Sequence, residues 1–278
     1  MNTMRARRRT IFPLASTNMS RIPPDKPVPF GNRNAVASGR RRRDRLELSV
    51  AYGLILLAIW TPPPEQELLS LAALAWVLLA TRLSFDGWST LGMSSTGFLR
   101  SLWVVGAAFL LAFSAGLLAS RLQTLHTPAY AALFVKRCCG YAIWAFLQEF
   151  LLLGFFLLRL LRLLPDRKTA MMAAACMFAV VHLPNPILTV LTLLWGWVSC
   201  QLFLRYRNLY TLAMAHAILG TCLAITIPGP VVHHMRVGLG YLTYPPPPQR
   251  SQKDQIVSTP AWVSAEAPTR RSWRQARP

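Results

Sequence analysis

Glu149, His182 and His216 could do chemistry together. Each stands within an apolar run, where an ionisable side chain is costly and marks a functional site by default. The chain has ten acidic residues, and nine of them fall in the tails, the loops or the edges of apolar runs; Glu149 is the exception. A desolvated carboxylate can serve as a base or an acid near neutral pH. One imidazole can share the activation of a water molecule, and a second can donate to a developing oxyanion. The same three groups could instead hold a zinc ion with one open position. No HExxH helix is present, so a divalent metal would need long-range assembly of Glu149, His182 and His216. Both a metal-dependent and a metal-independent mechanism stay open.

Their depths agree. Arg159, Lys168 and Arg207 mark one face of the membrane. At a rise of about 1.5 Å per residue, Glu149 lies about 15 Å from its marker, His182 about 21 Å and His216 about 14 Å. Pro184 and Pro186 follow His182 directly and must break the helix. Broken backbone at that depth is tolerated only where protein buries it or water reaches it, so a polar pocket is expected beside His182.

The elements that carry these residues are apolar runs. Of 278 residues, 53% are hydrophobic and 14% charged, against about 25% charged in soluble domains. A span needs about 20 mostly apolar residues. Runs at 46–60, 68–83, 98–120, 138–164, 169–183, 187–204 and 208–227 qualify or come close. The expected class is all-α, a polytopic membrane helix bundle of about seven or eight transmembrane helices, the eighth depending on the weakly apolar 231–244. Residues 1–45 read as a disordered basic cytoplasmic tail, 46–137 as N-terminal spans, 138–227 as the core with the chemistry, and 228–278 as a weakly apolar segment and a disordered Pro/Arg-rich tail. Twelve of the 30 basic residues precede residue 46. Beside a span they read as a positive-inside anchor on anionic lipid rather than a nucleic-acid site. The N-terminus is therefore expected in the cytoplasm and the protein in the plasma (inner) membrane. Trp60, Trp76, Trp144, Trp195, Trp197, Tyr206 and Tyr210 read as interfacial anchors and packing. The five cysteines show no CxxC spacing and imply no disulfide framework.

At these residues the sequence resembles the CAAX protease and bacteriocin-processing (CPBP) family of intramembrane endopeptidases. That family carries EExxxR, FxxxH and HxxxN or HxxxD on successive helices. Here the first motif reads Gln148-Glu149 and ends in Leu153; the second reads Phe178 to His182 in full; the third reads His216 to Gly220. The resemblance covers about 138–227. Gln148 stands at the family's water-activating Glu, Leu153 at its Arg, and Gly220 at its Asn or Asp. Glu149 is turned by about 100° from the position of that first Glu. Asn185 is a candidate for the missing amide, and Gln148 for holding a water or a carbonyl.

The resemblance implies hydrolysis of a peptide bond in a membrane-associated protein or peptide, with Glu149 and His182 activating water and His216 stabilising the oxyanion. Its partners are then membrane lipids and that substrate, with no nucleic acid. Two rival readings remain: a non-catalytic membrane scaffold of the same ancestry, and a proton-coupled transporter.

Overall fold

The computed structural model describes residues 30–127 and 130–243. The chain divides into two units, 1–40 and 41–278. The first contributes only the start of a helix, 30–40, to the described residues; the packing and the site described below lie in the second.

The described structure is all helical. In order come α1 (Phe30–Trp60), α2 (Glu65–Leu83), α3 (Phe98–Arg121), α4 (Ala131–Glu149), a π-helical segment (Phe150–Leu157), α5 (Leu158–Leu163), α6 (Arg167–Val180), α7 (Pro186–Tyr206), α8 (Leu209–Thr226), a 3₁₀ turn (His233–Met235) and α9 (Gly238–Leu242). Each apolar run read from the sequence falls on one of these helices. Five stretches are long and apolar enough to cross a membrane: Glu65–Leu83, Phe98–Arg121, Ala131–Leu163, Pro186–Tyr206 and Leu209–Thr226. The protein is thus an integral membrane helix bundle. The eighth crossing considered for 231–244 is not made. Its described part holds a three-residue 3₁₀ turn and the five-residue α9, far short of the ~20 residues a span needs.

Ala131–Leu163 is the central pillar. Its middle, Phe150–Leu157, is apolar on every side and almost wholly buried, as a helix surrounded by other helices must be. Here the backbone opens into wider i→i+5 turns, and this widening starts immediately after Glu149. Such π segments recur at functional sites. Leu153 is fully buried in this apolar core.

Residues 30–45, expected to be disordered tail, are instead helical through the first half of α1. From Asp44 onward the helix is held by its acids. Glu47 accepts from Arg159 Nε at 2.9 Å and Nη2 at 2.6 Å, and Asp44 receives Arg162 Nε and Nη2 at 2.8 and 2.7 Å. Arg159 also donates to the Phe155 carbonyl and to Ser84 Oγ, and its guanidinium lies 3.6 Å over the Phe155 ring. Asp44 and Glu47 are therefore buried partners of the pillar's arginines, not surface groups at the edge of a span. Trp76, read as an interfacial anchor, donates its indole N–H to the Glu47 carbonyl.

Three polar caps set the starts of α6, α7 and α8. Asp166 caps α6 by accepting from Thr169 N, and its two bonds from Thr169 hold its carboxyl below the usual range. Asn185 caps α7, and Asn208 caps α8 while donating to the Ser94 carbonyl. Gly97, at φ +77°, opens α3 with its Cα pressed on the Tyr206 carbonyl, where no Cβ would fit.

The Glu47–Arg159 pair is a test of this packing. Glu47→Gln leaves Arg159 buried without its counter-ion and is expected to destabilise the protein by about 3–5 kcal/mol. The double change Glu47→Leu with Arg159→Met is expected to recover most of that loss. Reversible unfolding in mixed lipid–detergent micelles measures both.

Candidate active site

Glu149 ends α4, His182 follows α6 and His216 lies inside α8. The bundle brings these three far-apart residues together. His216 Nδ1 lies 2.9 Å from Glu149 Oε1. The Phe178 ring packs edge-on against both imidazoles, its centroid 5.0 Å from that of His182 and 6.1 Å from that of His216. All three polar side chains are buried, Glu149 completely.

Glu149 has a further partner that sequence reasoning assigned elsewhere. The indole N–H of Trp195, on α7, donates to the same Oε1 at 2.5 Å, so Trp195 is part of the site and not an interfacial anchor. An indole nitrogen only donates, so Oε1 accepts from Trp195, and the same oxygen holds His216 through Nδ1. That leaves His216 Nε2 as the atom available to another group. The second carboxyl oxygen, Oε2, is buried with no hydrogen-bond partner among the described residues, and an orphan of this kind in a native interior calls for a functional explanation. Arg159, ten residues further along the pillar, pairs with Glu47 and not with Glu149.

His182 is fixed in the same manner. Its Nδ1 lies 2.7 Å from the Phe178 carbonyl oxygen. A carbonyl only accepts, so Nδ1 carries the hydrogen and Nε2 keeps its lone pair. This bond is an i→i−4 contact within the FxxxH motif itself, which explains why the spacing matters.

Two cavities meet at this point. One, of about 640 Å³, is lined mainly by apolar side chains of α1, α2, α4 and α6. The other, of about 850 Å³, is lined by α3, α4, α7, α8 and the segment around Val237. Both lie within the ~300–1,000 Å³ usual for ligand pockets. Gln148 and His182 line both, and His216 lines the larger. The one-residue offset noted in the sequence is thus expressed in space. Gln148 faces the cavities, and Glu149 stands behind His216 and away from them.

Asn185 does not act at this pocket. Its two amide hydrogens go to the Val232 and Arg236 carbonyls at 2.8 and 3.2 Å, and its oxygen accepts from Leu188 N. It supports the broken α6–α7 turn instead, with help from Gly238 N, which donates to the Leu183 carbonyl at 2.7 Å. The segment after α8 therefore satisfies one carbonyl of the broken turn, that of Leu183.

The zinc alternative does not fit this arrangement. Among the described residues no three His, Cys, Asp or Glu side chains are placed to hold a metal ion.

A helical membrane protein with two imidazoles and a carboxyl buried between its spans is the class this geometry defines. Residues 130–222, about a third of the chain, match the family model described as type II CAAX prenyl endopeptidase, Rce1-like. The match takes in Gln148, Glu149, Phe178, His182, His216 and Gly220, so this stretch is similar to that family. No curated protein and no solved structure gives a significant match.

Trp195→Phe keeps an aromatic ring and removes the donor to Glu149. It is expected to lower stability by about 1–3 kcal/mol, the range for leaving a buried polar group short of a partner. Thermal unfolding in detergent reads this, and an unchanged midpoint would show that the indole bond carries no weight.

Proposed function

We propose that this protein is an intramembrane endopeptidase that hydrolyses a peptide bond of a membrane-associated protein or peptide without a metal. The observation that carries this reading is that His182 and His216 line one cavity with their Nδ1 atoms held by different partners, a backbone carbonyl for one and a carboxyl for the other. His182 Nε2, with its lone pair, is the base that takes a proton from water as the water oxygen attacks the carbonyl carbon. His216, backed by Glu149, donates from Nε2 in its protonated form to the oxyanion that results. The C–N bond then breaks, and the proton on His182 passes to the leaving amine. Gln148, on the wall shared by the two cavities, positions the water or the carbonyl.

This refines the roles expected from the sequence. Glu149 supports His216 and does not itself activate water beside His182. The apolar smaller cavity suits a hydrocarbon chain, and the name of the matching family points to prenylated peptides as the substrate class. The N-terminus is assigned to the cytoplasmic side of the plasma (inner) membrane, in keeping with its basic residues.

The departures at Gln148 and Gly220 favour a second reading, a non-catalytic relative that binds such peptides. Reconstitution in liposomes with isoprenylated C-terminal peptides, read by mass spectrometry, decides between them. Wild type is expected to cleave and His182→Ala to lose at least about 100-fold, the scale of a general base. Gln148→Glu, which places a carboxylate at the cavity wall, is expected to raise the rate. Peptide retention without cleavage by wild type and by Gln148→Glu alike would establish the binding protein.

A further inference from the structure

The third motif lacks its amide: Gly220 has no side chain, and Asn185 has no hydrogen left to donate. An oxyanion held by His216 alone would be short of one donor. The space beside Gly220 is not vacant, however. A Cβ built on Gly220 would fall against the hydroxyl of Tyr141 and within 2.5 Å of two of its ring carbons. Tyr141, from α4, thus fills the volume into which a side chain at position 220 would project. A side chain at 220 and the phenol where it now stands cannot both occupy this space.

Three further observations bear on what the phenol does there. Tyr141 lines the larger cavity together with His182, His216 and Gly220. Its ring meets His216 edge-on, with centroids 6.4 Å apart. Its hydroxyl makes no hydrogen bond to any described residue, unlike that of Tyr52, which donates to the Met177 carbonyl. A phenol in an apolar setting usually finds a partner; one that faces a cavity beside two imidazoles has its donor free for a ligand. Gln148 lies seven residues on, two helical turns along the same face of α4, and lines the same cavity.

We propose that Tyr141 is a catalytic residue whose hydroxyl donates to the oxyanion alongside His216, in the place of the side chain that Gly220 lacks. The substitution at Gly220 is then one half of an exchange. The donor has moved from α8 to α4, and glycine at 220 makes the room. This rests on the endopeptidase reading above.

The test uses the full-length protein in nanodiscs and two readouts. The first is cleavage of an isoprenylated peptide. Tyr141→Phe, which removes one oxygen and keeps the ring, is expected to lower kcat about 10²-fold, at the lower end of what losing one oxyanion donor costs, with KM within about threefold of wild type. Tyr141→Ala is expected to lose activity similarly, and Tyr141→Ala with Gly220→Asn to recover at least tenfold of it. Gly220→Asn alone, with Tyr141 in place, is expected to be inactive. The second readout is binding of a peptide phosphonate, a tetrahedral anion, relative to the uncleaved peptide. Wild type is expected to prefer the phosphonate, and Tyr141→Phe to lose that preference. A Tyr141→Phe variant with wild-type kcat and wild-type phosphonate preference would overturn the role of Tyr141 alone. Wild type that neither cleaves nor prefers the phosphonate would overturn the endopeptidase reading, and the role of Tyr141 with it.

Discussion

Oε1 of Glu149 accepts the indole N–H of Trp195 from α7 and meets Nδ1 of His216 from α8, so a single buried oxygen ties the central pillar to two other helices. In an apolar interior such a carboxyl persists only where donors surround it. Once they do, the helices that bring the donors have little freedom to rotate. The orientation of His216 follows, with its second nitrogen left for the cavity. So does the placement of Gln148, one residue back and about 100° around the helix, on the cavity wall. The π segment that starts at the next residue belongs to the same arrangement. It lets the pillar present Glu149 to α7 and α8 and, further along, Arg159 to α1.

The far end of the pillar uses charge differently. Arg159 and Arg162 are met by Glu47 and Asp44 in geometries with two nitrogens on each carboxylate. These pairs are complete, with an acid for each base, and they join helices without leaving an atom for a ligand. The carboxyl at Glu149 is incomplete by contrast, with one oxygen orphaned. The difference between a satisfied network and an unsatisfied one separates scaffold from site along one helix.

Much of this was legible in the residues. Long apolar runs can be satisfied in lipid only as helices, and the seven runs read from the sequence all lie on helices. The depths of Glu149, His182 and His216 follow from counting residues at the helical rise, which permits their meeting but does not decide it. The meaning of the FxxxH spacing is local, because an imidazole can reach the carbonyl one turn back. The helical state of 30–45 was not legible. Arginine-rich composition argues for a solvated tail, and only the partners on α5 turn Asp44 and Glu47 into buried residues.

What the sequence by itself determined is therefore the class of the protein, the helices and which of their residues sit at one depth, because each of these depends on composition or on spacing along one helix. Which atom each of those residues touches was decided by the tertiary structure. Rotation of each helix about its axis is set by packing against its neighbours, and it decides that Glu149 faces His216 and Trp195, that Asn185 spends its amide on the backbone of the segment after α8, and that Tyr141 occupies the space Gly220 leaves. No spacing within a single helix records a contact between two.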